Sequence, residues 1–102
     1  MSSTLGAVNL AGLRLISPSQ GSVYLFSTGF EVGAQRIPIE AVGGESLVEV
    51  ELFLDGELLA SLSAPPYQTW WPLAVGEHRV WAEGVLQSGE RVTSEVITFK
   101  VE

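Results

Sequence analysis

Between Leu47 and Leu54 apolar and polar residues alternate almost without fault. Val48, Val50, Leu52 and Leu54 fall on one face, and Glu49, Glu51 and Phe53 on the other. A period of two is the signature of a strand with one buried side. Asp55-Gly56 follows, and Asp-Gly between apolar strands predicts a two-residue hairpin, because a type I′ turn needs positive φ at both positions. Residues 57–63 then form the return strand.

The same pattern recurs on both sides of this hairpin. Residues 35–42 set Ile37, Ile39 and Ala41 on one face, and Gly43-Gly44 turns the chain. Pro65-Pro66 opens a strand over 67–71, where Tyr67, Thr69 and Trp71 oppose Gln68 and Trp70. Gly76 opens another, with His78, Val80 and Ala82 opposing Arg79, Trp81 and Glu83. After a Ser88-Gly89 turn, one last strand is predicted over 91–101, with Ile97, Phe99 and Val101 inward. Upstream, a strand over 13–17 is broken by the turn cluster Pro18-Ser19-Gln20-Gly21 and resumes as an edge piece over 23–26. Residues 28–34, with two glycines, read as a loop.

Seven or eight short strands with turn signals every 8 to 12 residues predict an all-β, immunoglobulin-like antiparallel sandwich over residues 13–102, preceded by a tail or linker over 1–12. A small closed barrel is the alternative architecture, and a short helix over 5–10 is the one helical segment considered. Pro38 is in tension with a central strand, since it cannot donate to a ladder. Its nitrogen is expected to face a gap where the broken first strand changes sheets.

Alternation also assigns the aromatic residues. Trp71 is the expected core anchor, packed with Tyr67, Val50, Leu52, Val80 and Phe99. Phe53, Trp70 and Trp81 are expected to point outward and form the candidate binding surface. Phe53 and Trp81 lie on strands that share a sheet in an immunoglobulin-like topology, whereas Trp70 is on a different strand. These rings either pack on neighbouring side chains or under the N-terminal tail, or form a contact surface for a neighbouring domain, a protein partner or a sugar ring.

Composition narrows the function. The net charge of −7 and five scattered basic residues argue against nucleic acid, which needs clustered Lys and Arg. An anionic lipid surface is excluded for the same reason, and no apolar run reaches the roughly 18 residues of a membrane span. The absence of cysteine removes disulfides, thiolate catalysis and Cys-type zinc sites. Residues 1–13 lack the basic start of a signal peptide. His78 is the only histidine, so no Ser-His-Asp triad is available, and it reads as a structural inward residue. Glu49 and Glu51 stand about 6.6 Å apart at strand rise, near the spacing of glycosidase carboxylates, but on a flat face they read as a solvated charge row. No catalytic residue, metal site or cofactor is expected.

From Leu15 onward, Ile16-Ser17-Pro18, Gly21, Tyr24 and the run from Gln35 through Ala41 are followed in order by Leu54-Asp55-Gly56, Trp71-Pro72-Leu73, Gly76-x-His78, Gly89 and Val96-x-x-Phe99-x-Val101. This series resembles the C-terminal immunoglobulin-like domain of class A penicillin-binding proteins of the 1C type. That family commonly has a Trp on the strand that here reads Glu51-Leu52-Phe53-Leu54. The hairpin with Ala64-Pro65-Pro66-Tyr67 also resembles the immunoglobulin-like repeats of secreted glycosidases and bacterial surface proteins. The first resemblance implies a non-catalytic accessory domain of a bifunctional peptidoglycan synthase. It would lie outside the cytoplasmic membrane and dock on neighbouring domains, a partner protein or glycan. The second implies a carbohydrate-binding or spacer module of a secreted hydrolase or surface protein.

Overall fold

The computed structural model describes residues 12–27 and 35–102. The loop over 28–34, the helix considered over 5–10 and the tail up to residue 11 lie outside them. The described residues form nine strands and no helix: β1 (Arg14–Ser17), β2 (Val23–Tyr24), β3 (Arg36–Val42), β4 (Leu47–Leu54), β5 (Glu57–Leu62), β6 (Tyr67–Pro72), β7 (Gly76–Leu86), β8 (Arg91–Thr93) and β9 (Ile97–Val101). One sheet has the order β1-β3-β6. The other runs β2-β9-β7-β4-β5, with β8 also paired to β7. The two layers make an immunoglobulin-like sandwich, and the closed barrel is set aside.

The first strand is divided between the layers. β1 pairs antiparallel with β3, and after Pro18 the chain crosses so that β2 runs parallel to β9. Backbone bonds from Lys100 to Ser22, Glu102 to Tyr24 and Phe26 to Glu102 continue that parallel ladder beyond the two residues of β2. This crossing resolves the tension at Pro38. The Pro38 carbonyl accepts a 2.7 Å bond from Ser17 Oγ. The nitrogen of a strand residue faces the same side as its carbonyl, so the missing donor points to where β1 is leaving the sheet.

Asp55 and Gly56 have φ of 53° and 86°, the left-handed values that the two-residue turn requires. Leu54 pairs with Glu57 across it. Between the sheets lie Ile37, Ile39, Ala41, Val50, Leu52, Leu54, Val80, Ala82, Phe99 and Val101, all buried. Gly84 in β7 lets this core close at one end: a Cβ there would stand 2.6 Å from Leu47 Cδ2 and 3.2 Å from Leu13 Cδ2.

Two expectations of alternation are corrected. Val48 is 43% exposed, whereas Leu47 is buried. A register shift between Leu47 and Glu49 against β7 inserts one residue, so parity reverses at the start of β4. The single strand expected over 91–101 is two strands on the same edge of β7. Ser94 bridges the break: its N–H donates to Ala82 O at 2.8 Å, and its Oγ accepts from Ala82 N at 2.9 Å.

Candidate functional site

Phe53 in β4 and Trp81 in β7 are direct cross-strand partners on the outer face of the larger sheet. Their half-buried rings stack with centroids 5.7 Å apart and planes 8° from parallel. Such pairs contribute about 0.5–1.5 kcal/mol beyond burial. Trp81 Nε1 donates to Glu83 Oε2 at 3.3 Å, which anchors the indole edge.

Beside the rings lies a polar row. Arg91 on β8 donates to Glu51 Oε1 at 2.6 Å and to Glu83 Oε1 at 3.3 Å. The hydrogen bonds to Glu51 first and Glu83 second hold the guanidinium proton more firmly than usual. Glu49 accepts from Ser61 Oγ. The two carboxylates expected to form a solvated row, Glu49 and Glu51, are therefore engaged with neighbours on two other strands, because the register of β4, β7 and β8 brings Arg91 across forty residues of chain to Glu51. Glu51, paired to a guanidinium, is a poor general base, and Glu49 is hydrogen-bonded to a hydroxyl.

Trp70 stands apart. It lies on the outer face of β6 in the smaller sheet and is 53% exposed, opposite Pro38 of β3. The Arg36 guanidinium carbon sits 5.4 Å from its ring centroid, a cation–π contact. The three outward aromatics thus occupy opposite faces of the sandwich: Phe53 and Trp81 come together, and Trp70 does not join them.

Inside, Trp71 is 9% exposed, with edge-to-face contacts to Phe99 at 5.7 Å and to the His78 ring at 4.8 Å. Tyr67, Val50, Leu52, Val80 and Phe99 are buried in the same cluster. His78 Nδ1 lies 2.7 Å from Asp55 Oδ2, and Nε2 lies 2.7 Å from Ala74 O. The ring therefore bridges the hairpin turn and the loop ahead of β7. Asp55 Oδ1 also accepts from Arg79 N at 2.9 Å. Burial alone would raise the Asp55 pKa. The bonds from His78 and the Arg79 backbone, with the nearby positive charges, outweigh it and hold the carboxyl below its ordinary 3.8. The hairpin turn is thereby tied to β7 and to the loop before it. Sequence reading found His78 but missed its partner, which depends on the pairing of Leu54 with Val80. No three metal-ligating side chains gather among the described residues.

The family model of the penicillin-binding protein C-terminus family matches residues 4–94. The chain belongs to this family. Among solved structures, the fibronectin(III)-like modules of Clostridium thermocellum CbhA superpose with a TM-score of 0.71 at 27% identity, over 87% of this chain and 93% of that one. The Bacteroides uniformis β-glucuronidase 2 bound covalently to a cyclophellitol-6-carboxylate aziridine gives 0.59 at 23% identity, over 88% of this chain but 10% of that enzyme. That likeness is of fold alone. No curated protein matches by sequence. An accessory-type module of immunoglobulin and fibronectin-III-like architecture is the reading common to family and fold.

Proposed function

We propose that this penicillin-binding protein C-terminus domain is a non-catalytic interaction module of a bacterial cell-wall synthase, working outside the cytoplasmic membrane and docking through its outer sheet faces. The observation that carries the proposal is the family match over residues 4–94. It is supported by the apolar side chains on the outer face of the larger sheet, where Leu58 and Val96 stand exposed beside the Phe53–Trp81 pair. The test is the coding sequence upstream. A transglycosylase domain and a transpeptidase domain with a Ser-x-x-Lys motif are expected there, and a parent gene lacking both overturns the assignment.

A second reading, glycan binding by a hydrolase-associated module, draws on the stacked Phe53–Trp81 pair. Titration with soluble muropeptides and other oligosaccharides while following tryptophan emission separates the two. A saturable shift, abolished by Trp81→Ala, establishes glycan binding. An unchanged spectrum at about millimolar ligand, the weak end of specific affinities, removes it.

A further inference from the structure

The Phe53–Trp81 pair is the middle of a longer feature. Phe53 pairs on its other side with Leu58 of β5, which is 53% exposed. Ile97 pairs with Val80, which sets Val96, 51% exposed, at the level of Trp81 just ahead of β9. Leu58, Phe53 and Trp81 therefore form one apolar band across three strands, and Val96, in the irregular segment between β8 and β9, extends it to roughly 14 Å at the usual spacing between strands. Its flanks differ. On one side stand Glu49, Glu51 and Glu83 against the single cation Arg91. On the other stand Arg79 and Thr98, which pair with each other.

An aromatic centre with aliphatic ends and a charged rim is the anatomy of a protein interface. A sugar platform would need free donors and acceptors beside the rings. Here the indole N–H is taken by Glu83, and Nη2 of Arg91 is taken by Glu51 and Glu83. A second copy of the chain meets the band with a net charge of −7 of its own. We infer that the band is the docking strip for a protein surface with an apolar centre and Lys or Arg residues along one edge, oriented so that this edge lies over Glu49, Glu51 and Glu83. The inference rests on the docking role proposed above and specifies its face, its partner chemistry and its orientation.

The test uses the chain at its natural full length in its own host. A photocrosslinking p-benzoylphenylalanine is placed at Leu58, at Val96 or, as the opposite-face control, at Trp70. Positions 58 and 96 are expected to crosslink to one common protein surface whose attached peptide carries Lys or Arg, with position 70 silent. The double variant Glu49→Lys, Glu51→Lys, shown to be folded by an unchanged thermal transition, should lower that yield about tenfold, as like charges face each other across the rim. Crosslinks from position 70 alone overturn the band while leaving the docking role standing. Crosslinks to glycan, to a second copy, or to a surface indifferent to the charge reversal overturn the partner chemistry. No protein crosslink from any position overturns both.

Discussion

Trp71→Ala is expected to abolish cooperative folding. The indole is the hinge of an aromatic cluster: it meets Phe99 edge-on at 5.7 Å and His78 at 4.8 Å, and Phe99 in turn meets Tyr24 at 6.0 Å. Truncation removes a side chain contacting both layers and leaves a cavity that the rigid pairing of β3 with β6 cannot close. Trp→Ala in a core costs about 3–5 kcal/mol. A domain of this size has about 5–15 kcal/mol in total, and this one has no disulfide to limit the loss. Urea denaturation followed by circular dichroism, with a proton NMR spectrum for dispersion, measures the effect. A dispersed spectrum and a midpoint close to that of the parent would show that the ring is peripheral to stability. Trp70→Ala, one residue along but facing solvent, should change the midpoint little, since the contact to Arg36 that is lost lies at the surface.

The contrast between these neighbouring tryptophans shows what could be read from the chain. Which face a side chain takes is a matter of parity along one strand, and parity was legible wherever the strand stays regular: Trp71 and Tyr67 inward, Trp70 outward. It failed at Val48, because the bulge that reverses parity arises from pairing with β7 and leaves no local mark. Asp55-Gly56 was legible for the opposite reason, since the backbone conformation is demanded within two residues. What touches what was legible only for Phe53 and Trp81, whose strands the fold class already places in one sheet. The Arg91 bridge to Glu51 and Glu83 and the Asp55–His78 bond both depend on how strands far apart in sequence are registered. The break at Ser94 is similar: the segment over 91–101 has strand character throughout, and only the Ala82–Ser94 bonds require it to step out of the ladder. The apolar band across β5, β4 and β7 is likewise a product of register. Its members are scattered from residue 53 to residue 96, and only the strand pairing brings them together.

Asp55→Ala is expected to cost about 2–4 kcal/mol at neutral pH, the sum of two separate losses. The ring nitrogen of buried His78 loses its partner, and an unsatisfied buried group costs about 1–3 kcal/mol, while the exposed N–H of Arg79 can turn to water. Alanine must also adopt the left-handed φ of 53°, which Asp and Asn tolerate and Ala does so at about 1 kcal/mol or more. Asp55→Asn separates the terms, because it keeps the turn tolerance and one side-chain oxygen and should lose about half as much. The effect carries a pH signature. The folded-state pKa lies below the ordinary 3.8. The contribution of the carboxylate is therefore complete above that value and is lost as pH falls through the folded one. Denaturation curves for the parent and Asp55→Ala should stand furthest apart at neutral pH and draw together as pH falls past 3.8 and through the lowered folded value, leaving only the backbone cost of the turn. A gap that stays constant down to acid pH would show that the carboxylate is not held by His78 and Arg79 in the way their distances imply. The hairpin would then owe its position to the turn alone, with β4 and β7 aligned by the packing of Leu54 against Val80.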